Sequence, residues 1–223
     1  LYAHGQKRGY LTFYNDKWND SYEILEKLHY QYQILNNKDK IFAIIKQKLN
    51  LVTTQDDKIN LYNELTTLYI ESNRYPEAFQ NEKTKFLLTN DISILDNLTE
   101  LSNELKNHDI LANTFIEILK EISVLSLKEE IYNRVIKIYY NIGKLEESKE
   151  LYFELIELKP NNLKYIDELI DVVTLLEDYK SLNKTYNMKL AFLSEPERIT
   201  LLLEMASIAF EKLNQVEEAK SYL

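Results

Sequence analysis

Histidine is the first side chain to test for chemistry, and His4, His29 and His108 stand alone, with no ligand partner three or four residues on. A zinc site needs several ligands at fixed spacing, so these three are expected at the surface or half-buried. The carboxylate pairs Glu146/Glu147 and Glu217/Glu218 have the residue types for acid–base work. They fall at expected helix N-termini, where the helix dipole and solvent account for them. There is no Cys, which removes thiolate nucleophiles, disulfides and Cys-based metal sites together. Gly5, Gly9 and Gly143 are the only glycines, too few and too scattered for a phosphate-cradling loop, and no G-x-S-x-G elbow occurs. N-x-S/T triplets at Asn19, Asn97 and Asn183 are what an Asn-rich chain produces by chance. The chain is therefore expected not to be an enzyme: no catalytic residue, metal site or cofactor site is assigned.

The elements that carry these residues follow from the shortage of breakers. Three Gly and three Pro in 223 residues leave too little turn chemistry for an all-β protein, so helices joined by short polar turns are expected. A hydrophobic fraction of 45% excludes a disordered chain. A formal net charge of -9 disfavours binding to phosphate backbones, so no nucleic-acid partner is expected. No apolar run is long enough to cross a membrane as a helix. The heavy use of Lys, Asn, Ile and Tyr is the bias of an AT-rich genome. The absence of Cys fits the bacterial cytoplasm and periplasm alike, with the envelope slightly favoured. The chain begins at Leu1 rather than Met, and reads as part of a longer protein.

A period runs through the sequence. In Lys128–Asn161, Tyr132, Val135, Ile136 and Tyr139 share one helical face, and Gly143 supplies a left-handed helix stop. A second amphipathic stretch carries Ser148 and Tyr152 and ends at Pro160. Small or equivalent residues recur at Ser21, Ala78, Ala112, Ser148, Leu182 and Ala219, at intervals of 34, 36, 34 and 37 from Ala78 onward. Large apolar residues precede most of them by three: Trp18, Tyr75, Leu145, Tyr179 and Val216, with Ile110 one place out of step. A first-helix aromatic recurs as Tyr69, Tyr139 and Phe210, and a turn residue as Asn73, Asn107, Gly143 and Asn214. Pro76 is expected at the start of a helix, and Ser194 with Glu197 forms a capping box.

These residues resemble a tetratricopeptide repeat, a helix–turn–helix unit with a large residue and then an aromatic on its first helix. Gly marks its turn, a small residue its second helix, and Pro its end. Tyr132, Tyr139, Gly143, Ser148 and Pro160 take those places here. The resemblance implies an all-α fold of helix–turn–helix repeats stacked into a right-handed superhelix. One array over 1–223 is expected, with repeats at roughly 6–36, 58–91, 92–127, 128–161, 162–195 and 196–223 and an irregular helical insert at 37–57. Glu82, Lys85 and Lys189 stand where that family has apolar side chains.

The resemblance also implies that each first helix lines a concave face. Asn133, Arg134, Lys137, Tyr140 and Asn141 would then form a groove able to grip a peptide backbone or a carboxylate. Lys164, Asp167 and Asp171, and Asn63 with Thr67, would face it from neighbouring repeats. A solvated helix face would carry the same residues. The implied function is a protein-interaction scaffold or adaptor that takes a partner peptide or helix in that groove. The alternative is a self-associating structural component of a larger envelope or motility assembly. In that case Val216, Ala219, Tyr222 and Leu223, together with Ile208 and Phe210 from the preceding helix, would offer an apolar C-terminal edge for homo-oligomerisation.

Overall fold

The computed structural model describes residues 22–223. Trp18, Ser21, His4 and Asn19 lie outside the described residues. Among those described there are helices and no strand. The α-helices are α1 Tyr22–Ile34, α2 Lys38–Leu51, α3 Gln55–Glu71, α4 Tyr75–Thr89, α5 Ser93–Leu105 and α6 His108–Glu121. They continue as α7 Leu125–Asn141, α8 Leu145–Leu158, α9 Leu163–Leu175, α10 Tyr179–Lys189, α11 Glu195–Ser207 and α12 Val216–Ser221.

The helices come in consecutive pairs, and the turn of each pair holds one left-handed residue. Asn36, Asn73, Lys106, Gly143, Glu177 and Asn214 each sit in the left-handed region, with φ between 49° and 77°. The next residue sends its N–H back across the turn. Asn37 reaches the Tyr32 carbonyl at 3.0 Å, Arg74 reaches Tyr69 at 2.8 Å, Asn107 reaches Ser102 at 3.1 Å, Lys144 reaches Tyr139 at 2.8 Å and Asp178 reaches Val173 at 3.0 Å. A left-handed residue with this backward bond satisfies carbonyls that the helix end leaves open, and it reverses the chain in a few residues. The turn residue that the spacing places at Asn107 is therefore Lys106. Asn107 instead accepts from the Ile110 N–H through its side chain and so starts α6. Ser194 and Glu197 form the expected capping box, and Pro76 lies in the first turn of α4.

The fifth residue after each left-handed one points inward: Ile41, Ala78, Leu111, Ser148, Leu182 and Ala219 are all buried. The first described member of this ladder is thus Ile41. Residues 38–51, read from the sequence as part of an irregular insert, form α2, which packs against α1 as the second helix of a pair. In the pair of Ile110, Leu111 takes the ladder position with Ala112 buried beside it, and His108 rather than a large apolar residue stands three places before it. Among the other expected core residues, Tyr69 and Tyr152 are buried, whereas Tyr75, Tyr132, Tyr139 and Tyr179 are half-buried. Phe210 is the exception, at 60% exposed. A π turn over Ile208–Lys212 inserts one residue into the register, so the Gln215 N–H reaches Ala209 rather than Phe210, and Ala209 is fully buried in its place.

The chain divides into two compact units, residues up to Thr114 and residues from Phe115. In the first, α2 packs on α3 and α4 on α5. Phe42 stacks on Tyr69 with ring centroids 4.8 Å apart, and the Arg74 guanidinium lies over both rings. This unit buries Lys48, whose Nζ lies 2.7 Å from both Glu26 Oε1 and His29 Nδ1. An ammonium only donates, so the proton of the His29 ring belongs on Nε2, which lies 2.9 Å from Glu64 Oε1.

In the second unit α8 packs between α7 and α9. Its inward tyrosines send their hydroxyls to carboxylates, because a buried phenol needs a polar partner. Tyr132 donates to Glu154 at 2.8 Å, Tyr152 to Glu168 at 3.3 Å and Tyr186 to Glu204 at 2.8 Å. Burial and then Glu154 push the Tyr132 hydroxyl up to about 12. Lys189 sits at its expected apolar place with its Nζ 2.7 Å from Asp167 Oδ1.

The turns set two stability predictions. Gly143 has open space around a would-be Cβ, so Gly143→Ala meets only backbone strain and should cost about 1 kcal/mol. Glu177→Gly removes such strain, and after the added freedom of the unfolded chain should gain roughly 0.5 kcal/mol. Urea denaturation checks both. Asp178 starts α10 and holds Lys149 at 2.9 Å. Burial raises its pKa, but the Ser181 and Lys149 donors outweigh burial and set it at about 2, against 3.8. The folded value lies below the unfolded one, so this carboxylate stabilises above about pH 4, and that contribution fades as pH falls toward 2. Asp178→Asn should flatten the acid loss in that window and lower neutral-pH stability by on the order of 1–2 kcal/mol.

Candidate functional site

The second unit carries a cleft of about 470 Å³ between α7, α8 and α9. Its apolar lining comes from Ile136 and Val172, which helical spacing buries between the pairs. Polar groups converge over it from two first helices, with Asn133, Lys137 and Tyr140 on α7 and Lys164, Glu168 and Asp171 on α9. Spacings of three and four residues put each trio on one face of its helix.

Asn133 is held in place. Its Nδ2 donates to the Tyr165 hydroxyl at 3.2 Å, and Tyr165 donates to Glu129 at 2.8 Å. Glu129 pairs with Lys159 at 2.9 Å; Lys159 and then Tyr165 hold its carboxyl below the usual range. Tyr152 reaches into the same cleft and donates to Glu168. Burial first, and Glu168 next, raise its pKa, so it is a neutral donor at neutral pH. Lys137 and Asp171 are exposed and make no hydrogen bond or ion pair among the described residues.

Three of the five groove residues expected from the sequence therefore line one cleft: Asn133, Lys137 and Tyr140. Arg134 turns to Glu130, with its Nε 2.7 Å from Oε1, and Asn141 lies at the exposed end of α7 outside the lining. Of the α9 set, Lys164 and Asp171 line the cleft while Asp167 faces Lys189. Glu168 and the hydroxyl of Tyr152 are the members that sequence reasoning missed. The spacing of Lys164 and Glu168, four residues apart on a helix that also carries Asp171, was the available signal.

Ser102 Oγ lies 3.3 Å from His108 Nδ1. That is the arrangement of a nucleophile and its base. The Ser102 hydroxyl, however, donates to the Asn107 carbonyl at 3.0 Å. It can then only accept from His108, and it serves to close the turn. No cluster of three metal-ligating side chains occurs among the described residues, and none of their helices is long and apolar enough to cross a membrane.

Neither a family model nor a curated protein matches the sequence. Solved structures do show likeness. One, from a functional characterisation of Pseudomonas aeruginosa pilF, is 13% identical over 90% of this chain and 87% of its own, with a TM-score of 0.38. MamA from Desulfovibrio magneticus RS-1 is 14% identical over 76% of this chain and 93% of its own, also at 0.38. A tetratricopeptide repeat protein from Parabacteroides merdae is 15% identical over 90% and 77%, at 0.37. The architecture rests on the chain itself, whose repeated left-handed turns and paired helices make it an all-α protein of helix–turn–helix repeats.

Proposed function

We propose that the chain is a protein-interaction scaffold, without catalytic activity of its own, that holds an extended segment of a partner protein in the cleft between α7, α8 and α9. The observation that carries this reading is the pairing of unsatisfied opposites. Lys137 and Asp171 face one cleft from two helices, with no partner among the described residues, above an apolar floor and beside a fixed amide, Asn133. A peptide offers the complement: backbone N–H and C=O groups for Asn133 and Tyr140, a carboxylate for Lys137 and a cation or amide for Asp171. Rigid helices hold these groups, so a ligand binds without having to order them first.

The test is to select binders from a displayed peptide library with the purified chain, then measure their affinity for variants. Charge-assisted contacts contribute roughly 1.5–3 kcal/mol. Lys137→Glu should therefore weaken a selected peptide about tenfold or more, and Asp171→Lys should change the selected sequence. A binder indifferent to both places the site elsewhere.

One observation favours self-association as a second reading. Ile199, Leu203 and Phe210 are 54%, 55% and 60% exposed at helical spacing in the last pair. An apolar stripe of this kind is what a second copy would cover. Light scattering should then show a dimer or larger species that Phe210→Ser returns to monomer; a wild-type monomer at high concentration rules it out.

A further inference from the structure

Glu82 stands at a position that two pairs of the second unit fill with a tyrosine. There the inner face of α8 carries Tyr152 and that of α10 carries Tyr186, and each donates its hydroxyl to a glutamate on the next pair, Glu168 and Glu204. The left-handed turns give the register: Asn73 in the first unit answers to Gly143 in the second, and Lys106 answers to Glu177. Counted from these turns, Tyr152 corresponds to Glu82 in the first unit, and Glu168 to Asn97. At this register position the other pairs carry Ile45, Phe115, Leu223 or one of the two donor tyrosines, and Glu82 alone among them is a carboxylate.

Glu82 is 2% exposed. Its Oε1 accepts from the Thr66 hydroxyl and from Lys85 Nζ at 2.7 Å. Lys85, 6% exposed, also donates to Asn63 Oδ1 at 2.9 Å. The second oxygen, Oε2, is buried and has no hydrogen-bond partner. A buried carboxylate oxygen without a donor is unfavourable, and a ligand that brings one removes the penalty. Glu82 lines a cleft of about 320 Å³ between α3, α4 and α5 with Asn63, Lys85 and Asn97. Glu100 and Glu104, exposed and unpaired among the described residues, complete it. Three carboxylates against one ammonium leave the cleft at two net negative charges. The corresponding cleft in the second unit balances Lys137 and Lys164 against Glu168 and Asp171. Carboxylates on two helices offer several acceptor oxygens, which an ammonium or guanidinium can meet with several N–H donors at once.

We propose that this cleft binds the ammonium or guanidinium group of a lysine or arginine side chain on an extended segment of a partner protein. The cation donates to Glu82 Oε2, Glu100 and Glu104 draw it in, and the amides of Asn63 and Asn97 face the partner backbone. The site is separate from the charge-balanced cleft at Lys137 and selects for a cation.

The experiment is calorimetric titration of the full chain with short end-capped peptides carrying lysine or arginine, with the same peptides after lysine acetylation, and with spermidine. Saturable binding of a cationic peptide is expected. It should be lost on acetylation of the lysine form, be about tenfold weaker or worse in the E100Q/E104Q double variant, and be unchanged in Lys137→Glu. Glu82→Gln should weaken it too; if that variant fails to fold, the exposed pair Glu100 and Glu104 still decides. The proposal is overturned if no cationic peptide binds, if E100Q/E104Q binds as the parent does, or if Lys137→Glu abolishes binding. Spermidine binding as tightly as the peptide would assign the cleft to a free polyamine and overturn the peptide reading.

Discussion

The left-handed residue in each intra-pair turn is the constraint on which the rest depends. It lets the N–H that follows bond five residues back in the first five pairs, and it fixes where the second helix begins. Once that start is set, the residue one turn further on faces inward, whether it is Ile41, Ala78, Ser148 or Leu182. The ladder thus tolerates side chains from Ala to Leu because backbone geometry, rather than a small residue, sets the register. Lys106 and Glu177 adopt this conformation without being Gly or Asn, at a cost of about 1 kcal/mol or more each. That they do so shows that the surrounding helix pairs over-determine the turn.

The same constraint explains how charge enters the interior. A helix locked in register presents whatever residue falls at an inward position, and in the first unit those residues include Glu82, Lys85 and Lys48. Burial of an unpaired charge would be prohibitive, so each arrives with a partner: Lys85 with Glu82 and Asn63, Lys48 with Glu26 and His29. Tyrosine solves a milder version of the problem in the second unit, burying its ring and delivering one hydroxyl to a glutamate of the neighbouring helix.

Much of the fold was legible in the sequence because punctuation was sparse and therefore informative. Gly143, Asn73 and Asn214 announce left-handed turns by residue type alone. Lys106 and Glu177 do not, since nothing local marks a Lys or Glu as left-handed; Asn107 drew the assignment one place late and in fact caps the next helix. Ile41 was hidden because isoleucine is not a small residue and so does not mark a ladder position by type. The exposure of Phe210 depends on a π turn that no side-chain pattern over Ile208–Lys212 encodes. At the site, Lys137, Tyr140 and Asn133 were readable from one helical face. Glu168 required knowing which helix comes next to α7 across the cleft, which is tertiary information.

Repeat geometry gives the two clefts a common frame and leaves their chemistry free. Asn63 and Asn133 occupy the same place on their first helices, and Glu100 and Asp171 the same place on the following pair. Those matched positions supply an amide and a carboxylate in both. Between them, Thr67 becomes Lys137, Ile70 becomes Tyr140 and Glu82 becomes Tyr152. None of these exchanges disturbs the register, because each alters a side chain and leaves the left-handed residue and its backward bond as they are. Surface chemistry can therefore diverge repeat by repeat at little cost to folding, since stability in such arrays is carried by neighbouring pairs. A charge-balanced cleft and a net-negative one thus stand on the same backbone frame, differing in the side chains that the frame presents.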